Sequence, residues 1–362
     1  MSIIITYITF GLCGFYVLFT VLLCLGLFRI AKRNAHAAPL ISVIIPAKNE
    51  ENNILHCLNA LAKQTYPHNK TEIILVNDRS TDLTVEQAQL SKLSNLKMIT
   101  VEQQTHLCPK KNALHQGILA SSGEIIFTTD ADCRPESDWI TSTVQCFTPS
   151  VGMILGYAPL LTPTNYFNPL LSFQSLVVAA LSAGGAGIGL PLTCTGRNLS
   201  YRRNAYDAVN GFEEVGHVIG GDDVYLMNKI AQTHFKIAFN LSPNASVPSQ
   251  VHTDSQFNRQ LRYQSKSLRY GFSVLLPALA VYIFHLIFFL VPLWAIYSPE
   301  ALYAVSFCFF TKVTVDALFL SLAAKRFGNL RQMIWFPFLE ILLLPYIVIV
   351  CALGALMPTK WK

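Results

Sequence analysis

Hydrophobic and polar positions divide the chain into three stretches of different rhythm. Residues 3–28 are predominantly apolar and carry no charge. As a helix, such a run is long enough to cross a hydrocarbon core of about 30 Å. From Ile41 onward, short apolar runs alternate with helically spaced ones. A strand is expected over 42–45, ended by Pro46, and Ile54, Leu55, Leu58 and Leu61 follow at helix spacing. A second strand is expected over 72–76, followed by a loop over 77–82 in which Thr81 or Asp82 would cap the next helix. A third strand is expected over 96–101, then a helix over 110–120. Its basic start is unfavourable at a helix N-terminus unless it meets an anion. A buried strand over 124–129 comes next, after Ser121-Ser122-Gly123. This alternation predicts an α/β domain, a mostly parallel Rossmann-like sheet with helices on both faces. Beyond Gly271 three further candidate spans run over 272–296, 301–324 and 333–357.

The expected organisation is therefore an N-terminal transmembrane helix in 1–33, a cytoplasmic catalytic domain in 34–270, and a three-helix membrane domain in 271–362. Arg29, Lys32 and Arg33 follow the first span directly, which puts the N-terminus outside and the next segment in the cytoplasm. Lys325, Arg326 and Arg331 agree with that orientation, while Lys360 and Lys362 are a mild exception. A cleaved signal peptide is the alternative for the first span, but the run is too long and has no basic start. Within 165–192, residues 170–181 have an apolar helix pattern too short to span, followed by Gly184-Gly-Ala-Gly-Ile-Gly189. An interfacial helix with a flexible acceptor-side loop is one reading, a plain core helix the other. Lys312 and Asp316 stand at i, i+4 inside the third span, with Glu340 in the fourth as a further partner. They read as a functional group or as a static pair that fixes helix packing.

Composition strengthens the membrane reading. Hydrophobic residues make up 52% of the 362 and charged residues 13%, above and well below ordinary soluble usage. The net charge of +6 comes from scattered residues with no basic run, so lipid headgroups or anionic substrates are expected and nucleic acid is not. Nine cysteines show no C-x-x-C pair, which suits buried thiols in a reducing compartment.

Candidate chemistry gathers where the strands end. Asp130 and Asp132 lie just past the strand over 124–129, where i and i+2 face the same way. A hard divalent cation with phosphate oxygens would relieve their repulsion. The alternative is a turn cap beside a solvated carboxylate. Glu50 and Asp78 close the first two strands, so the same sheet edge gathers carboxylates suited to ribose, base and metal. Asp222-Asp223 precedes an apolar helical run and reads as a helix cap or a general base.

These segments together resemble the family 2 glycosyltransferases. Ile41-Ser-Val-Ile-Ile-Pro-Ala-Lys-Asn-Glu-Glu51, Glu72-Ile-Ile-Leu-Val-Asn-Asp-Arg-Ser-Thr-Asp82 and Asp130-Ala-Asp132 carry the likeness. It continues through Cys194-Thr-Gly-Arg-Asn-Leu-Ser-Tyr-Arg-Arg203, Gly211-Phe212 and Gly221-Asp-Asp-Val-Tyr-Leu226. Arg259-Gln-Leu-Arg-Tyr263 is similar to the Q/R-x-x-R-W signature of membrane-bound members, with Tyr for Trp, and leans toward the ceramide glucosyltransferase-like branch. A basic juxtamembrane helix touching headgroups is the other reading of that cluster.

The resemblance implies a glycosyltransferase-A fold, a nucleotide-diphosphate sugar donor (UDP-linked) and Mg2+ or Mn2+. It implies donor contacts from Pro46, Asn49, Glu50, Asp78, Lys111, Asp130 and Arg262, and metal contacts from Asp130 and Asp132. Asp223 matches the catalytic base of an inverting displacement. The acceptor side would comprise Gly196, Arg197, Asn198, Asp222, Arg259 and Tyr263. A lipid or hydrophobic hydroxyl acceptor in a bacterial inner membrane is expected, because polymer synthases of this family usually carry more helices. Processive polysaccharide synthesis is the alternative, and a non-catalytic membrane scaffold the remote one.

Overall fold

The computed structural model describes residues 2–29, 38–102, 105–161, 168–218, 220–250, 272–297 and 299–356. A long helix α1 (Ser2–Phe28) leads into β1 (Ile41–Ala47), α2 (Ile54–Leu61), β2 (Thr71–Asn77), α3 (Thr84–Gln89), β3 (Leu96–Thr100), α4 (Pro109–Leu119) and β4 (Ile125–Thr128). Then come α5 (Trp139–Val144), β5 (Val151–Gly156), α6 (Asn168–Gly187), β6 (Leu199–Arg202), α7 (Arg203–Asp207), α8 (Asp222–Ala231) and β7 (Lys236–Asn240). The C-terminal part is α9 (Phe272–Phe289), α10 (Val291–Tyr297), α11 (Ala301–Arg326) and α12 (Phe336–Leu356).

The strands form one seven-stranded sheet in the order β3-β2-β1-β4-β6-β5-β7. β1, β2, β3 and β4 are parallel, as the alternation predicted, whereas β6 runs antiparallel to both β4 and β5. Strands buried on both faces read as unbroken apolar runs because alternate side chains enter different cores. Ile44, Ile74, Val76 and Ile126 pack with Leu114 and Ile118 of α4, Leu176 of α6 and Leu23 and Leu27 of α1. Val43, Ile45, Ile73, Leu75 and Phe127 pack the other way, against Ile54, Leu58 and Trp139.

Three expectations need correction. β1 does not stop at Pro46 but continues to Ala47, with Pro46 opposite Val76. Ile44 O accepts from Thr129 N–H on the β4 side, and Ala47 O accepts from Asp78 N–H on the β2 side. Pro46, two residues after Ile44, turns its missing N–H toward β4, where the ladder has already ended at Ile44–Thr128. The glycines after 181 are not a flexible loop, since α6 continues to Gly187. They let α6 approach α1: a Cβ on Gly26 would stand 2.1 Å from Gly184 O, and one on Gly187 2.1 Å from Gly26 O. Small residues permit this backbone-to-backbone packing.

The span expected over 272–296 is broken at Leu290 into α9 and α10. Pro292 has no N–H to continue the helical ladder, so a break just before it is the local solution. Among the described residues three helices are long and apolar enough to cross a membrane: Ile3–Phe28, Ala301–Arg326 and Leu330–Gly354. α1 and α11 end together, with the Arg326 guanidinium 5.3 Å from the Phe28 ring centroid. Polar ties fasten this helical layer to the α/β domain. Gln332 donates to Ser172 Oγ at 2.7 Å, Asn329 to Tyr157 Oη at 3.0 Å, and Gln174 to Tyr346 Oη at 3.1 Å.

Candidate active site

Because β1, β2 and β4 are parallel neighbours, their following loops meet at one sheet edge. The first two loops are fastened to each other. Asn49, at φ 56°, donates its N–H to Ser80 Oγ at 3.0 Å and accepts from Thr81 N–H at 2.9 Å. Glu50 N–H donates to Thr84 Oγ1 at 2.7 Å, and Glu51 N–H to Asp82 Oδ2 at 3.1 Å. Asp82 does accept from the first helical amide, Thr84 N–H, at 3.0 Å, although the cap residue itself is Leu83. Asp78 is buried at the base of this pair and accepts from Arg79 Nη2 at 3.0 Å. Pro46 lies in the strand below.

Asp130 and Asp132 occupy the turn after β4, with buried Ala131 between them. Two buried thiols lie beneath. Cys57 donates toward Asp130 O at 3.8 Å and Cys133 toward Asp132 Oδ1 at 3.5 Å. Burial pushes the Cys57 thiol up, and the charges of Asp132, Asp130 and Glu50 push it further. Cys133 is raised by burial and then by Asp132 and Asp130, with Arg197 opposing. The carboxylates of Glu50, Asp130 and Asp132 thus act on the same small region, and the thiols remain protonated spectators.

Lys110 links this region to the other half of the site. Its ammonium is 2.7 Å from Asp130 Oδ1 and 3.4 Å from Asp222 Oδ2. Burial pulls its pKa down, but Asp130, Asp222 and Asp223 outweigh that and hold it well above the usual lysine value. Asp222 and Asp223 are the first two residues of α8, not its cap, which is Gly221 at φ 69°. Asp223 Oδ1 accepts from Val224 N–H at 2.8 Å and Oδ2 from Gly196 N–H at 2.9 Å. Cys194 registers the same pair: burial raises it, then Asp223 and Asp222. A Cβ on Gly196 would lie 3.2 Å from Asp222 Oδ2, so glycine keeps the gap between the two segments open. β6 brings this segment here because it is antiparallel to β4, with Leu199 opposite Thr128.

Two expected contacts fall elsewhere. Lys111, not Lys110, was the expected donor contact, yet its ammonium is buried and donates to Val215 O and Val218 O, each at 2.6 Å. It pins the segment that leads to α8. Asn198 is an internal fastener, not an acceptor-side group. Its amide donates to Tyr157 O at 2.8 Å and Ala245 O at 2.9 Å, and accepts from Trp139 Nε1 at 2.9 Å. Arg197 donates to Thr195 Oγ1 at 3.3 Å and to Ser249 Oγ. Arg259, Arg262 and Tyr263 lie outside the described residues. The sequence did hold a signal for Lys110: a cation at a helix start needs an anion. Which of two adjacent lysines meets it depends on helix rotation.

Residues 42–156 match the family model described as Glycosyl transferase family 2. The chain carries a family 2 glycosyl transferase domain. Around it the fold is glycosyltransferase-A, and a mannosyltransferase of Pyrobaculum calidifontis, solved in complex with GDP-Man and Mn2+, shares it. That likeness has a TM-score of 0.57 at 19% identity and covers 98% of this chain and 100% of that one. Glycosyltransferase AglE of Haloferax volcanii is 29% identical over 203 residues, 56% of this chain and 64% of its own length. A probable glycosyltransferase YdaM of Bacillus subtilis is 26% identical over 189 residues, 51% of this chain and 45% of that protein. A beta-monoglucosyldiacylglycerol synthase of Nostoc is 34% identical over 111 residues, 30% of this chain and 24% of that enzyme. The chain thus spans less than two thirds of these curated relatives.

Donor-set chemistry fits a divalent ion in this family 2 domain. Asp130 and Asp132 offer only hard oxygen ligands, as Mg2+ or Mn2+ requires. Among the described residues no group of three or more His, Cys, Asp or Glu side chains is placed to hold a metal ion by itself.

Proposed function

We propose that this protein is a membrane-bound, metal-dependent, inverting glycosyltransferase that moves one sugar from a nucleotide-diphosphate sugar to a lipid or hydrophobic hydroxyl acceptor. The observation that carries the reading is Lys110 between Asp130 and Asp222, with Asp223 on the next residue of the same helix turn. Donor-side and acceptor-side carboxylates thereby share one small site.

The paired loops around Asn49, Glu50 and Asp78 hold the nucleoside of a UDP-linked donor. Asp130 and Asp132 would hold Mg2+ or Mn2+, which would supply positive charge for the leaving diphosphate. Lys110 adds fixed positive charge beside them and keeps the carboxylates from repelling one another. Asp223 accepts the proton of the acceptor hydroxyl as that oxygen bonds to the anomeric carbon and the bond to diphosphate breaks. Attack from the face opposite the leaving group inverts the anomeric centre. Both oxygens of Asp223 already take a backbone N–H, so the carboxylate is held in one orientation and still has lone pairs for that proton.

Three apolar helices and the tight seating of α6 on α1 support an acceptor delivered from the bilayer. So do relatives named for lipid-linked acceptors, beta-monoglucosyldiacylglycerol synthase and a dolichyl phosphate-sugar transferase of Methanococcus voltae. A catalytic domain on the cytoplasmic face of a bacterial inner membrane agrees with Arg29, Lys325 and Arg326 at one end of the bundle. The test incubates membranes carrying the protein with a panel of labelled nucleotide sugars, then extracts lipid and measures mass. One sugar added to a lipid supports the reading. A product of many sugar units overturns the acceptor class, and no nucleotide release from any donor overturns the enzyme.

A further inference from the structure

The membrane helices contain a charge cluster that sugar transfer does not use. Lys312 of α11 donates to Asp316 Oδ2 at 2.7 Å and to Glu340 Oε1 of α12. Tyr16 of α1 donates its hydroxyl to Asp316 Oδ1 at 2.7 Å, and its ring centroid lies 5.9 Å from Lys312 Nζ. His285 of α9 packs edge-on against Tyr16, with ring centroids 6.1 Å apart. Its Nδ1 lies 2.8 Å from Val281 O. A carbonyl only accepts, so Nδ1 carries the hydrogen. Lys312, Asp316, Glu340 and His285 are each 8% exposed or less. Four helices thus converge on these titratable groups.

Charge balance sets the cluster apart from an ordinary ion pair. One ammonium serves two carboxylates. With all three ionised and His285 neutral, a net negative charge is left among apolar helices, where an uncompensated charge is costly. The two carboxylates are also neighbours, since oxygens from both lie within hydrogen-bond reach of one nitrogen. Two carboxylates sharing a site do not readily ionise together. Among the described residues these ion pairs are one cation short of balance. Lys312 already fills the position a metal ion would take between the acids, and His285, against the Tyr16 ring, has its Nδ1 hydrogen committed to Val281 O.

We propose that Asp316 and Glu340 together bind one exchangeable proton at neutral pH, making this cluster a proton-loaded site within the membrane domain. Loss of that proton restores the net negative charge between α11 and α12, so occupancy links the packing of α1, α9, α11 and α12 to pH.

The test is infrared spectroscopy of the full-length protein in lipid nanodiscs at neutral pH, following the carbonyl stretch of protonated carboxyl groups. Wild type should show a protonated-carboxyl band that Na+ does not remove. Glu340→Gln and Asp316→Asn should each lose it, because one carboxylate then pairs with one ammonium. Lys312→Met should increase its area about twofold, since both acids are then left without a cation. His285→Gln should keep it. A wild-type spectrum without the band overturns the proposal whether or not the variants fold. So does a band that Na+ titrates away, or one lost in His285→Gln and kept in Glu340→Gln.

Discussion

Replacing Asp223 by asparagine separates chemistry from folding. The carboxylate accepts two backbone N–H groups, Val224 at 2.8 Å and Gly196 at 2.9 Å. Asparagine keeps one oxygen, so one of these amides faces an NH2 group and loses its acceptor. A hydrogen bond to a charged group is worth about 1.5–3 kcal/mol. Asp223 also stands in the first turn of α8, where loss of a negative charge costs about 0.3–1 kcal/mol more. The expected stability loss is therefore about 2–4 kcal/mol. The expected catalytic loss is of a different kind: removing a general base lowers turnover by about 10²–10⁴-fold. Thermal unfolding of the purified full-length protein measures the first. Nucleotide release, normalised to folded protein and at saturating donor, measures the second. Asp222→Asn is the comparison, since Asp222 meets Lys110 while the two amide bonds belong to Asp223. If Asp223→Asn turned over within tenfold of wild type per folded molecule, with the stability loss as expected, the carboxylate would be a structural tie and the base would lie elsewhere.

Other consequences can be checked by similar means. Asp132→Ala should abolish metal-dependent donor binding in calorimetric titration with Mn2+ present, and unchanged affinity would sink the metal assignment. Adjacent lysines should behave oppositely: Lys110→Met should cut transfer with little change in unfolding temperature. Lys111→Met leaves the Val215 and Val218 carbonyls without their donor and should cost about 2–6 kcal/mol, at 1–3 for each buried group. Asn198→Ala breaks three buried hydrogen bonds and should cost about 3–9 kcal/mol, at 1–3 for each group left unpaired, with turnover per folded molecule preserved; a normal melting curve would contradict its internal role. Glu72 gives a pH test. Burial opposes its ionisation, but hydrogen bonds from Ser42, Ser122 and Gly123 lower its pKa overall. Its contribution is thus present above the unfolded carboxyl value of about 4.3 and is lost as pH falls through the lower folded value. Glu72→Gln should flatten that acid limb of the stability profile.

Much of this protein could be read along the chain, because the signals are local. Parallel strands buried on both faces leave unbroken runs such as Ile41–Ala47, and a helix long and apolar enough to cross a membrane leaves an uncharged one such as Ser2–Phe28. Strand-end carboxylates follow from parallel order, so Glu50, Asp78, Asp130 and Asp132 were legible as one edge. Local signals failed where the answer depended on a partner far along the chain. Pro46 suggested a strand end, but the ladder it would have interrupted had already stopped. Glycines at 184 and 187 suggested a loop, but α1 lies against them and makes their small size a packing requirement. Pro292, by contrast, offered a local reason for the break in the span over 272–296.

The amino-acid order by itself therefore determined the α/β rhythm, the long apolar helices and the carboxylate-bearing loops, since these follow from periodicity and burial over a few residues. Only the tertiary structure decided that Lys110 and not Lys111 meets the acids, that Asn198 turns inward, and that Gly196 and Asp223 join across 27 positions. Helix rotation and the antiparallel insertion of β6 set those contacts, and both are fixed by packing against the whole sheet, not by any short stretch of chain.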